Sequence, residues 1–494
     1  MKKIIVILLL FYCMDKPCLE AQNNDTKALI ATNISQMSTW NRYPAYSVYD
    51  SMMRNFANNY PHLCILDTIG YTTNNKLLLA VKISNNVNQT NNKPKFFYSS
   101  SMHGDELTGA IMLLRLADYL LSNYSDTQIA NIINNVEVYI CPFANPDGTY
   151  LPNDNDISAA QRYNARNYDL NRDFPATSSN NPNNLTLVEA ETKAFILYAK
   201  AQRFDINANL HGGAEVCNYP FDDILPSGIE SHADNQWFIE TCQRFVDTLR
   251  HYDNSYFTYP YSSGYVLGAD WYKISGSRQD YHTYFLRQRE ITLEVSTTKT
   301  PAASTLPSYW NKLYPSLLCL LEECLKGVNG VVTDCYTGEA LDSVFIHING
   351  HDRDNSEVFS KENGYFFRPL HNGTYNFTFS KYGYITKNVE ITLSSDNIFH
   401  SDICLEPVSS LNETYKQIND LRIYPNPVSN YLNIKNIPNG HLIINDIMGR
   451  KMLQVQINNN ETTIDVSHFA NGIYTIKLIS KDNQVISNNK FIKQ

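Results

Sequence analysis

The stretch FFYSSSMHGDELTGAIMLLRLADYLL, residues 96–121, combines two kinds of secondary-structure signal. Its first part is β-rich and its second part carries apolar residues at helical spacing, so it predicts a strand that leads into a helix. His103 and Glu106 lie at the joint, three positions apart. Two interpretations are open: the pair belongs to a metal site, or the acidic residues only favour the N-terminus of the helix.

The alternation of strand-like and helix-like segments continues from about residue 36 to residue 325. It is typical of an α/β domain, and we predict a mixed, largely parallel sheet flanked by helices. The β-rich segments are KLLLAVKI, KFFYSS, VEVYICPF, DINANL and REITLEVS. The helical segments are LTGAIMLLRLADYLLSN, LVEAETKAFILYAKAQ and NQWFIETCQRFVDTLRHY.

Polar residues follow several of these predicted strands at the point where the strand ends. His103 follows KFFYSS, and Asn145 and Asp147 follow VEVYICPF. His211 comes directly after DINANL, and Glu294 closes REITLE. Because open α/β sheets bind ligands beyond the carboxyl ends of their strands, we expect these side chains to share a site.

A zinc site would explain three of these side chains. Two His and one Glu form an established catalytic set that leaves one position for water, and His103, Glu106 and His211 supply it. Glu294 ends an apolar strand, so partial burial would raise its pKa and suit a general base. H-x-x-E is a weak signal by itself, and a lone Glu294 could equally be a surface residue.

The loop QRYNARNYDLNRDFP, residues 161–175, is the most specific segment of the chain. It carries Arg162, Arg166, Asn171 and Arg172. Arginine side chains bind carboxylates through two parallel hydrogen bonds, so the loop indicates recognition of an anionic group. The alternative is a solvated basic loop.

Six segments together resemble the zinc metallocarboxypeptidases of the funnelin family. They are MHGDE, ANPDG, RYNARNYDLNRDFP, NLHGGAEVCNYPFDD, GADWYKISGSRQDY and ITLEVS, in family order over most of residues 36–325. They are most similar to the regulatory branch of carboxypeptidases N, E, D and M, which removes C-terminal basic residues. The resemblance implies a zinc enzyme that acts on the C-termini of peptides or proteins.

The resemblance also implies a role for each site residue. One Zn²⁺ would be held by His103, Glu106 and His211, with Glu294 as general base and Arg162 as the group that stabilises the oxyanion. The terminal carboxylate of the substrate would bind Asn171, Arg172 and Tyr272. Asp222 in YPFDD would receive the Lys or Arg side chain, with Gln279 lining the same pocket. The alternative for Asp222 is that it caps a turn.

The rest of the chain predicts further domains. Residues 1–21 are predicted to be a signal peptide, because two lysines precede an apolar run too short to span a bilayer comfortably. The catalytic domain would cover 22–326. An all-β region follows at 327–407, and its segments VNGVVTDCYTGEALDSVFIHING and ENGYFFRPLHNGTYNFTFSKYGY resemble the transthyretin-like β-sandwich of the regulatory branch. A linker at 408–420 precedes an all-β region at 421–494. Its segments YPNPVSNYLNI, IINDIMGRKM and FANGIYTIKL resemble the C-terminal sorting domain of the type IX secretion system, which implies a β-sandwich.

These patterns predict where the protein acts and what it meets. The sorting domain implies the type IX secretion machinery as a partner, passage through the periplasm of a Bacteroidetes-type bacterium, and a secreted or surface-attached product. The net charge of −9 and the lack of basic runs make nucleic acid an improbable partner. No other segment approaches membrane length, so the mature protein should have no transmembrane segment. The cysteine spacing indicates no framework, and we assign no disulfide from it.

Two other functions use the same sequence features. An amidase of the same fold could cleave cell-wall peptides or deacylate an amino acid, although Asp222 and the carboxylate-binding set argue against it. A surface adhesin could bind peptide C-termini without cleaving them, although Glu294 and the zinc ligands argue against that. The sequence indicates neither the physiological substrate nor the preference between Lys and Arg.

Overall fold

The structure, a computed structural model, describes residues 29–89, 91–395, 397–408, 421–437, 439–447, 449–480 and 485–494. The predicted signal peptide and nearly all of the predicted linker lie outside the described residues. The chain divides into two compact units, Met1–Pro407 and Val408–Gln494. Among the described helices, none is both long and apolar enough to cross a membrane.

An eight-stranded mixed sheet forms the centre of the first unit. A short parallel pair precedes it, β1 (Ile30–Ala31) and β2 (Tyr43–Pro44). The strands of the main sheet are β3 (Cys64–Tyr71), β4 (Leu77–Ile83), β5 (Lys95–Ser100), β6 (Glu137–Cys141), β7 (Ile206–His211), β8 (Ala214–Tyr219), β9 (Tyr265–Leu267) and β10 (Arg289–Ser296). Their order is β3-β4-β6-β5-β7-β10-β8-β9, and β5, β6, β7 and β10 run parallel to their neighbours in this central group. The predicted mixed α/β sheet is confirmed.

Both faces of the sheet are covered, which explains why its central strands read as nearly continuous apolar runs. Phe96 and Tyr98 belong to one hydrophobic core and Phe97 to the other, because successive side chains of a strand point to opposite faces. The α-helices of this unit are α1 (Tyr46–Asn59), α2 (Thr108–Ser122), α3 (Thr127–Asn135), α4 (Pro146–Thr149), α5 (Ala190–Gln202), α6 (Asn235–Tyr252), α7 (Gly268–Trp271), α8 (Arg278–Tyr284) and α9 (Leu306–Glu322).

Helix α2 packs tightly against the ends of two strands, and this contact fixes the corner that holds His103 and Glu106. Gly109 makes the contact possible, because a Cβ at this position would lie 2.4 Å from Ser100 Oγ and 2.7 Å from Leu210 Cβ. Any larger side chain would push the helix away from β5 and β7. The chain therefore passes from β5 to α2 as predicted, and the start of α2 packs closely against the ends of β5 and β7.

The second domain, defined here as residues 327–407, contains two small sheets around one hydrophobic core. Its strands are β11 (Gly327–Asp334), β12 (Phe345–Ile348), β13 (Val358–Phe359), β14 (Tyr365–Arg368), β15 (Gly373–Ser380), β16 (Lys387–Leu393), β17 (Ile398–His400) and β18 (Ile403–Leu405). A disulfide joins Cys335 to Cys404, a pairing that the sequence left unassigned. The two-sheet form is compatible with the predicted transthyretin-like domain, whose identity and exact boundaries stay predictions.

The C-terminal unit is also built from two sheets, in the orders β19-β20-β23 and β22-β21-β24-β25. Its own hydrophobic core includes Val428, Leu432, Ile444, Ile476 and Phe491. The strands are β19 (Arg422–Tyr424), β20 (Tyr431–Lys435), β21 (Gly440–Asp446), β22 (Lys451–Ile457), β23 (Glu461–Asp465), β24 (Gly472–Ser480) and β25 (Val485–Lys493). A separate core explains why this unit is compact by itself.

Candidate active site

Three neighbouring parallel strands bring the predicted zinc and base residues together. In the register of β7 and β10, His211 lies opposite Glu294, and Ser100 of β5 lies opposite Leu210. His103 follows β5 by three residues, so its side chain reaches the same edge of the sheet. The strand ends that the sequence singled out therefore meet in space.

The donor atoms of His103, Glu106 and His211 converge on one point and are buried. The two Nδ1 atoms lie 3.1 Å apart, and the carboxylate oxygens of Glu106 lie 3.0 Å from His103 Nδ1 and 2.8 Å from His211 Nδ1. Tetrahedral ligands with zinc bonds of 2.0–2.1 Å are about 3.3 Å apart, so the set fits zinc in both chemistry and spacing. Burial disfavours the charge on Glu106, but the two imidazoles outweigh it and hold the pKa of Glu106 well below its usual range.

A second layer of polar groups lies against the two imidazoles. His103 Nε2 lies 3.0 Å from Asp169 Oδ1, and His211 Nε2 lies 2.7 Å from Asn209 Nδ2. A histidine that binds a metal through Nδ1 carries its proton on Nε2, and the Asp169 carboxylate can accept that proton's hydrogen bond and orient His103. Sequence reasoning gave Asp169 no role although it lies within the quoted DLNRDFP segment. The position of Asp169 in this loop, beside the residues predicted to act in the site, was the signal that could have pointed to its role.

Glu294 lines the cavity beside these ligands, and its Oε2 is buried with no hydrogen-bond partner among the described residues. Burial, and then the charge of Glu106, raise the pKa of Glu294 well above the usual glutamate range. An unpartnered carboxylate with a raised pKa has the properties of a group that accepts a proton during a reaction. Glu294 is partly buried in the structure, as the sequence predicted.

Arg162 reaches the cavity from the loop that the sequence singled out. Asp169 Oδ2 accepts hydrogen bonds from Arg162 Nε at 2.9 Å and from Nη2 at 2.8 Å, which holds one edge of the guanidinium. The remaining nitrogen, Nη1, lies 3.2 Å from His103 Nδ1. Asp169 therefore positions a predicted metal ligand and a predicted oxyanion-binding group together.

The residues predicted to hold a terminal carboxylate lie around the same cavity. Asn171 lines it, and its Oδ1 accepts a hydrogen bond of 3.0 Å from Arg278 N, which orients the amide. Tyr272 is 46% exposed at the cavity. Arg172 does not line the cavity; burial raises the pKa of both Asp222 and Tyr272, and the nearby charge of Arg172 acts on both in the opposite direction.

Asp222 lies in the cavity wall and is buried. Its Oδ1 accepts hydrogen bonds from Asn218 Nδ2 at 3.0 Å and Gln279 Nε2 at 3.1 Å. Burial raises the pKa of Asp222, although Ser277, Asn218 and Arg172 act in the opposite direction. Gln279 was expected to line the pocket; it is buried and does not line the cavity, but its Nε2 donates to two residues that do, Asp222 and Asn218.

The cavity has a volume of about 220 Å³ and gathers eight of the ten predicted site residues, all except Arg172 and Gln279. Lys299 also lines it, with Nζ 3.0 Å from Asp105 Oδ2 and 3.3 Å from Glu106 Oε1, and the sequence gave no role to this lysine. Gly213 lines the cavity at φ +122°, a conformation that favours glycine. The roles given to the individual residues stay predictions.

Two strand-end residues that the sequence grouped with the site have structural roles instead. Asn145 Nδ2 donates to the carbonyls of Met102 and Tyr163, both at 3.2 Å, and so joins the His103 corner to the Arg162 loop. Asp147 Oδ2 accepts a hydrogen bond of 3.0 Å from Asn74 N. Neither residue lines the cavity.

Comparison with known proteins agrees with this geometry. Residues 49–316 match the zinc carboxypeptidase family, peptidase family M14, and residues 422–494 match the secretion system C-terminal sorting domain. A C-terminal sorting domain of the type IX system implies a secreted or cell-surface protein. The zinc carboxypeptidase family uses Zn²⁺, in agreement with the cluster of two His and one Glu.

Individual relatives support the same assignment. Human carboxypeptidase D is 32% identical over 359 residues, which cover 69% of this chain but 25% of that protein, so the chain spans about a quarter of its length. Mouse carboxypeptidase M is 32% identical over 318 residues, covering 62% of this chain and 71% of that protein. The crystal structure of thrombin activatable fibrinolysis inhibitor shares the fold, with a TM-score of 0.52 at 15% identity over 62% of this chain and 80% of that one. The chain thus belongs to the zinc carboxypeptidase family.

Proposed function

We propose that the protein is an exported, zinc-dependent carboxypeptidase that removes single C-terminal Lys or Arg residues from peptides and proteins. The observation that carries the proposal is the buried carboxylate of Asp222 in the wall of the cavity that holds the metal ligands. Export is supported by the C-terminal sorting domain, and we place the route through the periplasm to the cell surface or the medium.

The side chains present suit hydrolysis of a peptide bond. Zinc bound by His103, Glu106 and His211 would supply Lewis-acid chemistry, which polarises a carbonyl and lowers the pKa of water. Glu294 would take the proton of the attacking water and deliver it to the leaving amine. Arg162, held along one edge by Asp169, would donate hydrogen bonds to the oxyanion that forms at the scissile carbonyl.

Recognition of a free C-terminus would use neutral and cationic donors around the same cavity. Asn171 and Tyr272 line the cavity, and Arg172 adds a positive charge nearby. Together they would bind the terminal carboxylate and restrict cleavage to the last peptide bond. Charge-assisted hydrogen bonds to a carboxylate are the strong ones, so an amidated C-terminus should bind poorly.

Asp222 would then select the side chain of the last residue. A buried carboxylate that pairs with an ammonium or guanidinium group is stabilised, whereas an apolar side chain leaves it without a counterion. The backbone of Gly268 packs directly against this carboxylate. A Cβ at Gly268 would lie 2.2 Å from Asp222 Oδ1, so a glycine is required there. The existing bonds from Asn218 and Gln279 hold the carboxylate in place.

The test is to incubate purified protein with peptides that end in Lys, Arg, Leu or Phe and to identify products by mass spectrometry. We expect loss of one Lys or Arg, little action on Leu or Phe, and no cleavage after treatment with a chelator. Asp222→Ala should lower kcat/KM for the basic peptides by at least about 100-fold more than for neutral ones.

Asp223→Ala is the matched control, because this neighbouring carboxylate does not line the cavity. Equal losses on Lys and Leu peptides in Asp222→Ala would show that Asp222 does not read the side chain. Binding of peptide C-termini without any cleavage would favour an adhesin, and cleavage of amide substrates without a free C-terminus would favour an amidase.

A further inference from the structure

A buried ionic cluster joins the second domain to the catalytic domain. Asp234 Oδ1 accepts a hydrogen bond of 2.9 Å from Arg368 Nη2, and its Oδ2 accepts one of 3.0 Å from Arg289 Nε. Arg368 Nη2 also donates to Asp352 Oδ1 at 2.6 Å. Asp234, His351 and Asp352 resemble a metal-binding group, but the two guanidinium groups already neutralise these carboxylates. The cluster is therefore a joint between domains and not an ion site.

The catalytic side of this joint is the loop of residues 220–234, which connects β8 to α6. Asp234 is the last residue of the loop. Arg353 of the second domain donates through Nη2 to the carbonyls of Ser231 at 3.2 Å and His232 at 3.3 Å. The second domain thus contacts Ser231, His232 and Asp234 at the C-terminal end of this loop.

The other end of the same loop carries Asp222. The loop closes on itself, because Phe221 N donates to the carbonyl of Glu230 at 3.1 Å. The ring of Phe221 also contacts that of His232, with centroids 5.8 Å apart. The residue before Asp222 is in this way tied to the segment that Arg353 and Arg368 hold.

The loop also supports the segment that carries Tyr272. Ala269 N donates to the carbonyl of Phe221 at 2.8 Å, and Ile274 N donates to that of Asp222 at 3.0 Å. Lys273 Nζ pairs with Glu230 Oε1 at 2.9 Å. A shift of the loop would therefore move both the group proposed to read the side chain and a group proposed to bind the terminal carboxylate.

We propose that Arg353 and Arg368 of the second domain are positioning residues for substrate specificity, because they hold the 220–234 loop in the form that fixes Asp222. The second domain would then shape the specificity pocket indirectly, through the 220–234 loop, without contacting the substrate. This inference rests on the proposed function of Asp222. Catalysis itself should depend less on the joint, because His103, His211 and Glu294 are carried by the central sheet.

The experiment uses the full chain with Arg353→Ala, Arg353→Lys and, as matched control, Asp342→Ala. Arg353 and Asp342 are side chains of the second domain with similar exposure, 40% and 44%. Asp342 pairs with Arg203 at 2.9 Å, which also joins the domains but does not touch the loop. Arg353 is partly exposed and so its variants should fold, whereas Arg368→Met removes a fully buried charge and serves only as a supporting variant.

Two readouts are measured: KM and kcat on Lys-ending and Leu-ending peptides, and hydrogen exchange of residues 220–234. For Arg353→Ala we expect KM on the Lys peptide to rise by about tenfold with kcat nearly unchanged, and faster exchange in the loop. Arg353→Lys should recover part of the KM, and Asp342→Ala should behave like wild type in both readouts.

Unchanged KM and unchanged loop exchange in Arg353→Ala would overturn the inference, as would equal effects of Asp342→Ala. The proposed function fails in a different way, through a wild-type enzyme that does not prefer Lys or Arg. In that case the exchange measurement still decides whether Arg353 holds the loop.

Discussion

At the scale of single residues, Glu294 separates metal binding from catalysis. Its carboxylate faces the cavity but is not part of the cluster of His103, Glu106 and His211. Glu294→Gln keeps the size of the side chain and removes its ability to take a proton. We expect the variant to retain its zinc and to lose about 10²–10⁴-fold in kcat. Metal content by elemental analysis, together with kcat on a Lys-ending peptide, checks both parts.

Glu290→Gln is unsuitable as a control for that experiment, because Glu290 is buried and paired with Arg278 and His282. Glu215→Gln is better: Glu215 lies on β8, opposite Val295 of β10, and does not line the active-site cavity. Near-normal turnover in Glu294→Gln would rule out its role as general base. Loss of zinc in the same variant would instead assign the residue to the metal site.

His232 gives a prediction about stability and pH. It is buried, and burial is the main cause that lowers its pKa to about 3. The unfolded chain has an ordinary histidine pKa of about 6.5, so between these values the unfolded state binds more protons. The contribution of a neutral His232 to stability is therefore complete above about pH 6.5 and is lost as the pH falls toward 3.

The measurement is the melting temperature of the wild type and of His232→Gln between pH 7 and pH 4. A single proton corresponds to a slope of about 1.4 kcal/mol per pH unit in the free energy of unfolding. The wild type should therefore lose stability more steeply on acidification than the variant, whose absolute stability is lower because the acceptor for Asp234 N is altered. Parallel curves would mean that His232 does not titrate on unfolding.

At the scale of secondary-structure elements, the sequence predicted the parts of the site whose signal is local. The KFFYSS, DINANL and REITLEVS segments form β5, β7 and β10, and their ends meet because neighbouring parallel strands share a register. The strand-to-helix joint at His103 is also as predicted. In each case the pattern of apolar residues is set by burial within the element itself, so a single sequence contains it.

Contacts between distant segments were beyond sequence reasoning. Arg368 and Asp234 are 134 positions apart, and the sequence around neither residue indicates which residue it pairs with. The disulfide between Cys335 and Cys404 was likewise one of many possible pairings. The resemblance placed Gln279 in the cavity wall, whereas the side chain is buried and bonds to the wall residue Asp222. Such details depend on how elements pack, which no local pattern specifies.

The loop of residues 161–175 gives a further prediction, because the carboxylate of Asp169 contacts both His103 and Arg162. Asp169 orients His103 through Nε2 and holds Arg162 by two hydrogen bonds. Asp169→Ala should weaken zinc binding by about 10–100-fold and also lower kcat. Asp173→Asn, in the same loop, keeps an acceptor for Glu189 N and should change neither value.

Competition with a chelating indicator gives the zinc affinity of each variant, and the kcat of zinc-saturated protein gives the second value. An Asp169→Ala protein that binds zinc like wild type would show that the contact with His103 has no energetic weight. Loss of kcat at full zinc occupancy would then be assigned to Arg162 alone.

At the scale of the whole molecule, the ionic joints bind the second domain into the first unit, whereas the C-terminal unit has a core of its own. Arg353, Arg368 and Asp342 all contact the catalytic domain. The division of the chain falls at Pro407 and Val408, close to the predicted start of the linker. Removal of the two regions should therefore have different consequences: loss of the second domain should weaken the specificity pocket, whereas loss of the sorting domain should leave the enzyme unchanged.

A truncation after residue 408 tests the second half of this statement. The remaining chain keeps the cavity, the metal cluster and the joint at Asp234, all of which lie before Pro407. We expect it to fold, bind zinc and cleave a Lys-ending peptide at the rate of the full chain, because compact units with separate cores are stable by themselves.

In the native host, however, it should accumulate in the periplasm instead of reaching the surface or the medium, since the matched sorting domain is missing. Immunoblots of culture fractions, with a periplasmic marker as control, decide the point. Truncated enzyme outside the cells at the wild-type level would contradict the sorting role, and an inactive purified truncation would contradict the independence of the two units.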